Sequence, residues 1–260
     1  MRVIWIILLL WVGIVGGNAQ SKANAELRVG MELSYPPFEM TDEYGTATGV
    51  SVDLAMALGR HLDRPVKIVN IPFDGLIPAL KTGKIDVIIS SLTATAERRK
   101  SIDFSDPYLQ TGLCLLVGKD RGIKRIDDVD KKGVTVVVKK GTTGHLYASR
   151  SLKEARVRVV EKEAQAVMEI TQGKADVFIY DQMSVLGHWQ RNKTTTNALL
   201  EPFREESWAI GLRQDEETLK HQINTFLLEF RAGGGFEKLG EKYLSEQKKG
   251  FAELNVPFVF

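Results

Sequence analysis

The chain has 260 residues, of which 35 are Lys or Arg and 33 are Asp or Glu, a formal net charge of +2, so there is no electrostatic case for nucleic acid as a partner. With 26% charged and 43% apolar residues the composition is that of a globular protein, which excludes disorder, collagen and coiled coil. A single cysteine, Cys114, excludes an intramolecular disulfide framework and a zinc site built on several cysteines.

From the amino terminus, Met1-Arg2 precedes an uncharged apolar run over residues 3–15, then Gly16-Gly17 and small-residue sites ending at Ala19 and Ala25. This is the pattern of a secretory signal peptide over residues 1–25, its apolar run shorter than the roughly 20 residues a spanning helix needs. Cleavage after Ala25 removes Arg2 and Lys22 and no acid, leaving an exported, soluble and neutral chain.

Residues 26–32 read as a strand, and 52–62 carry apolar residues at helical spacing before Pro65 interrupts. A strand over 66–71, a helix over 73–80 and a continuous β-branched strand over 85–89 follow, the last typical of a sheet covered on both faces. The order starts again with strand 134–138, helix 143–151, strand 157–160, helix 164–171 and strand 177–180. Residues 81–90 recur as 171–180, each with Gly-Lys-x-Asp-Val between helix and strand, so two α/β units with parallel strands lie in one chain. Residues 185–191, a polar run at 192–197, the stretch 207–212 and helices over 216–231 and 236–244 complete it. Crossings near 113–117 and 207–210 make a hinge between lobe 1 (26–113 with 208–260) and lobe 2 (114–207). Gly233-Gly-Gly235 lies between helices, as a helix end rather than a phosphate cradle.

In such sheets ligands bind beyond the carboxyl ends of the strands. After the first strand come Glu32, Tyr35 and Phe38, with two prolines stiffening the loop. After residue 89 come Ser90, Ser91, Thr93 and, one turn on, Arg98, which can fork a carboxylate or stand as an exposed cation behind a Thr95 cap. Lys139 precedes a glycine turn opening a helix at Thr143, an anion-friendly arrangement. Asp181 follows the echoed strand, where it holds an ammonium or caps the next helix. Arg98 on one lobe and Asp181 on the other are what a zwitterion needs across a cleft.

Gly30 with Tyr35-Pro-Pro-Phe38-Glu39, Gly49-x-x-Val52-Asp53-Leu54-Ala55, Phe73-Asp-Gly-Leu-Ile-Pro-Ala-Leu80 with Gly83-Lys-x-Asp86, Thr93-x-Thr95-x-x-Arg98 and Asp103-Phe-Ser-Asp-Pro-Tyr108 closely resemble the periplasmic polar amino acid-binding proteins of ABC importers. The likeness runs from about residue 27 to residue 244. It implies a two-lobed type II periplasmic-binding-protein fold, each lobe a central sheet with flanking helices, hinged on two crossover strands. It also implies a periplasmic monomer without cofactor, whose closed liganded form docks on the permease subunits in the inner membrane. Carried over by position, Arg98 meets the ligand α-carboxylate, Ser91 and Thr93 help with carboxylate and amine, Thr143 supplies an amide donor and Asp181 takes the α-ammonium. Tyr35 matches an aromatic lid, Phe73 an aromatic against the ligand side chain, and Glu32 and Lys139 fall where side-chain selectivity is set. Glu32 alone favours lysine or arginine, and Glu32 with Lys139 suits a neutral amide such as glutamine; the expectation leans slightly to a basic ligand. Ser51 departs from the pattern, standing where many relatives carry an acid.

The same fold resembles cyclohexadienyl dehydratases, where a cleft carboxylic acid protonates a leaving hydroxyl. The stretch after Asp181, Gln182-Met-Ser-Val-Leu186, has no acid, so no enzyme is expected. A ligand-sensing module is the third class; such modules are fused to a signalling segment, and the apolar tail over 251–260 is expected to pack on a lobe. Cys114 is expected to be a buried small residue, and His61, His145, His188 and His221 surface or capping residues.

Overall fold

The computed structural model describes residues 25–256 and 258; the expected signal peptide lies outside them but for Ala25. In chain order the strands are β1 (Leu27–Met31), β2 (Ser34–Tyr35), β3 (Glu39–Thr41), β4 (Ala47–Thr48), β5 (Val66–Asn70), β6 (Val87–Ile88), β7 (Asp103–Gly118), β8 (Thr135–Lys139), β9 (Arg156–Val160), β10 (Val177–Asp181) and β11 (Thr196–Leu212). One sheet orders eight of them β5-β1-β6-β11-β7-β10-β8-β9, and β2, β3 and β4 form a small antiparallel sheet.

The large sheet has two parallel halves. β1 pairs in parallel with β5 and β6, and β8 with β9 and β10. The halves are joined by the antiparallel pair β7–β11, and β11 lies against β6 while β7 lies against β10. This is the mixed α/β, two-lobed fold the alternating pattern predicts. The Gly-Lys-x-Asp echo falls at equivalent places: Gly83 and Gly173 both take positive φ, 72° and 67°, ending a helix in the left-handed region that glycine tolerates. Asp86 then accepts from the Arg28 N–H at 3.0 Å and Asp176 from the Thr135 N–H at 2.7 Å, so each aspartate ties its strand to the start of the neighbouring one.

The apolar runs are buried as their continuity requires. Val87, Ile88, Ile89, Val177 and Phe178 are inaccessible to solvent, and three apolar clusters fill the space between sheet and helices. Helix Val50–His61 buries Val52, Leu54, Ala55 and Leu58, the face read from its periodicity. Cys114 is buried in β7, its thiol pushed up by burial and its Sγ 3.4 Å from the Leu200 carbonyl.

The sequence reading differs from the structure in four places. Residues 73–81 form a 3-10 turn Phe73–Gly75 followed by the helix Leu76–Lys81. β7 and β11 are 16 and 17 residues long, far beyond the stretches read as crossings. Their middle stretches carry Gln110, Arg204, Glu205 and Ser207, whose polarity hides pairing that only the partner strand supplies, and Glu201 and Pro202 fall in the break between the paired Leu199 and Arg204. The short β2–β3–β4 sheet and the helix Ser245–Glu253 lack a run long enough to read. In the tail, Phe251 is buried and the Phe258 ring packs 5.6 Å from it.

Helix Thr143–Ser151 sits directly on β10: a Cβ added at Gly144 lies 2.5 Å from the Ile179 carbonyl oxygen. Gly144→Ala is expected to force the helix off the strand and cost about 1–3 kcal/mol of stability, read as a lowered urea midpoint. An unchanged midpoint excludes the close approach.

Candidate functional site

The carboxyl ends of β1, β6, β8 and β10 supply Glu32, Ser90 and Ser91, Lys139, and Asp181. Because each half of the sheet is parallel inside, these ends converge, and they surround a narrow cavity of about 40 Å³ between the halves. Glu32, Tyr35, Phe73, Ser91, Thr93, Arg98, Lys139, Thr143 and Asp181 all line it.

Arg98 lies in the helix Ala96–Arg99, capped by the Thr95 hydroxyl, which accepts from the Arg98 N–H at 3.1 Å. The cap and the cleft role are therefore compatible. Arg98 is only 7% exposed, its guanidinium Nη1 donating to the Thr93 carbonyl at 2.8 Å and Nη2 to the Gly141 carbonyl at 3.0 Å, one on each side of the cleft. Burial lowers its pKa to about 10 and Glu206 opposes this, so it stays cationic at neutral pH.

Asp181 also fills both readings. Its Oδ1 accepts the Ser184 N–H at 3.0 Å, capping the helix Gln182–Arg191, and the Tyr35 hydroxyl at 2.7 Å from across the cleft. Burial raises its carboxyl to about 6 against the Tyr35 bond, the Glu163 carboxylate adds to the rise, and its hydrogen-bond partners among the described residues are the Tyr35 hydroxyl and the Ser184 N–H rather than a cation. A buried carboxylate without a cation favours an incoming ammonium.

At the other end of the cleft, Lys139, almost wholly buried, pairs directly with Glu32. Phe73 presents its ring to both cations, with Lys139 Nζ 5.5 Å and the Arg98 guanidinium carbon 5.6 Å from its centroid, within cation–π range. Tyr35 stacks on Phe38 at 5.5 Å and meets Trp208 edge-on at 5.9 Å, closing the floor. Ser91 holds φ at 49°, a strained position for a side chain other than glycine, and turns its hydroxyl onto Glu39.

Sequence reasoning missed two buried acids. Glu39 stands inside the motif read as a stiff loop, and its carboxyl accepts from Ser51 at 2.6 Å, Ser91 at 3.1 Å and Ser90 at 3.2 Å. Ser51, the departure from the family pattern, is therefore a hydroxyl donor to this carboxyl. Burial raises Glu39 from 4.5 to about 8 against those bonds, so it is protonated at neutral pH. Glu206 and Trp208 lie on β11, outside the strand ends searched; β11 slips register between Trp208 and Ala209 and bridges to Thr93 there. The helix after Asp181 begins at Gln182 and carries no acid, though Glu163 of the neighbouring helix meets Ser184 Oγ at 2.7 Å. Among the described residues no cluster could hold a metal ion, and no helix is long and apolar enough to cross a membrane.

The model of the bacterial extracellular solute-binding proteins, family 3, matches residues 27–246. The L-arginine-binding protein of Pseudomonas aeruginosa is 33% identical over 232 residues, 86% of this chain and 89% of the relative. An ancestral arginine-binding protein bound to glutamine superposes with a TM-score of 0.77 at 34% identity, over 84% of this chain and 97% of that one. An ancestral amino acid-binding protein described as a precursor of cyclohexadienyl dehydratase gives 0.78 at 35% identity, over 86% and 96%.

The raised Glu39 carboxyl has a thermodynamic sign. The folded chain keeps a proton that the unfolded chain releases near 4.5, so its stabilisation is complete below that pH and is lost as pH rises to about 8. Relative to Glu39→Gln, the wild-type chain is expected to lose stability across that window in urea titrations at stepped pH. Parallel profiles for the two exclude a proton bound at Glu39.

Proposed function

The chain belongs to the bacterial extracellular solute-binding proteins of family 3, and from that premise we propose that it binds a polar amino acid in the periplasm and delivers it to the permease subunits of an ABC importer. The observation that carries this reading is the pair Arg98 and Asp181. One is a buried cation bonded to carbonyls and the other a buried carboxylate without a cation, both on one cavity between the halves of the sheet. The ligand α-carboxylate takes the guanidinium and the α-ammonium takes Asp181, with Thr93, Ser91 and the helix start at Thr143 completing the head-group site. Lobe 1 is read as 26–113 with 208–260 and lobe 2 as 114–207. In support, β6 and the end of β11 pair within the first half, and β10 and residues 114–117 of β7 within the second.

The side-chain end moves the reading from a basic ligand to an amide. Glu32 is already matched by Lys139, so a second ammonium or guanidinium there meets a compensated carboxylate. A side-chain amide instead accepts from Lys139 with its oxygen and donates to Glu32 with its nitrogen, keeping both charges hydrogen-bonded. A basic amino acid is the second reading, favoured by the arginine-binding relative.

After unfolding and refolding to strip bound ligand, thermal midpoints against the twenty amino acids test the reading: ligand at about 100 times its Kd adds roughly 2.7 kcal/mol, and no shift with any amino acid sinks it. In calorimetry, Arg98→Ala is expected to abolish binding with the far-UV spectrum unchanged, and Asp181→Asn to weaken it by about 2–5 kcal/mol. Retained affinity in either removes that residue from the head-group site. Lys139→Met frees Glu32 and is expected to reduce glutamine affinity by about tenfold or more while raising that for arginine. Equal changes for the two ligands mean the pair does not read the side chain.

A further inference from the structure

Glu206 is a carboxylate that the amino acid head group does not need. It sits on β11, 6% exposed, and lines the same cavity. Its Oε2 accepts the Thr93 hydroxyl at 3.0 Å from one half of the molecule and the Thr143 hydroxyl at 2.9 Å from the other. Its Oε1 is buried without a hydrogen-bond partner, its nearest cation being Arg204 Nε at 3.9 Å. Glu206 and Arg98 also act on each other electrostatically, each favouring the other's charged form. The chain thus offers a carboxylate of its own to the groups expected to receive a ligand's.

A hydroxyl has one proton to donate. Thr93 and Thr143 spend theirs on Glu206, so a carboxylate arriving at Arg98 meets two oxygens with no proton to give and a second carboxylate nearby. Like charges brought together away from water repel strongly. We propose that Glu206 sets the affinity of the cleft for a ligand's α-carboxylate, by competing with it for the Thr93 and Thr143 hydroxyls and for the field of Arg98. This rests on the reading of Arg98 as the partner of that carboxylate. In Glu206→Gln the side-chain oxygen still accepts from the hydroxyls, the charge is gone and the new amide N–H₂ can donate to the ligand.

The test crosses the charge of residue 206 with the charge of the ligand, using calorimetry on the refolded chain with L-glutamine, L-arginine and their α-amides, glutaminamide and argininamide. Glu206→Gln is expected to tighten the acids by about tenfold or more and to change the amides by less than about threefold. A purely structural role moves acid and amide together, so parallel shifts, or no tightening of the acids, overturn the proposal. If Glu206→Gln does not fold, Glu206→Ser gives the same comparison. Should neither the wild-type chain nor the variants bind any of the acids, it is the amino acid-binding function that fails rather than the role of Glu206.

Discussion

The antiparallel pairing of β7 with β11 is the constraint on which the rest of the molecule depends. Two strands of 16 and 17 residues run side by side through the middle of the sheet, and each parallel half is attached to one of them. Because β6 lies on β11 and β10 lies on β7, the ends of parallel strands from both halves are brought to a common cleft. The pairing is interrupted between Leu199 and Arg204 and again around Ala209. Bulges bend and twist a strand locally; here the break at Trp208 docks β11 against the loop after β6, so that Glu206, Thr93 and Trp208 meet.

The cleft carries more buried charge than its size suggests, and each group is stabilised differently. Lys139 and Glu32 neutralise one another across the halves. Arg98 is held by carbonyl oxygens and by the face of Phe73. Glu39 keeps its proton and is ringed by three serine hydroxyls. Asp181 relies on a helix start and the Tyr35 hydroxyl. Burying ionised groups is costly unless they are paired or neutralised; Asp181 and Glu206, whose carboxyls burial pushes up, are the ones left short. A buried site left short of a counter-charge is stabilised by any group that brings it.

The family match and the structural neighbours place the chain among binding proteins, while one neighbour is described as a precursor of a dehydratase. What separates those roles on a shared fold is the position of a proton donor relative to the ligand. In this chain the helix after Asp181 begins with Gln182, Met183 and Ser184. The acids that line the cleft are Glu32, paired with Lys139, Glu39, which keeps its proton among three serines, Asp181, and Glu206, bonded to two threonines, while Glu163 of a neighbouring helix bonds Ser184 and His188.

Much was legible without coordinates, because it is local. The 3.6-residue period of residues 52–62, the unbroken apolar runs at 85–89 and 177–180 and the repeated Gly-Lys-x-Asp each depend on a few neighbouring residues, and together they prescribe two α/β halves with binding groups beyond the strand ends. The same logic gathered Glu32, Arg98, Lys139 and Asp181 before their geometry was known. It did not see β7 and β11 at full length, since their polar middle stretches become strand only by pairing with each other. Nor did it reach Glu39 and Glu206, which sit in a loop motif and in mid-strand and owe their burial to residues 51 to 113 positions away. The amino-acid sequence by itself determined the fold and the kinds of group that line the cleft. Only the tertiary structure decided which of those groups cancel one another, because that depends on distances across the cleft that no local pattern encodes.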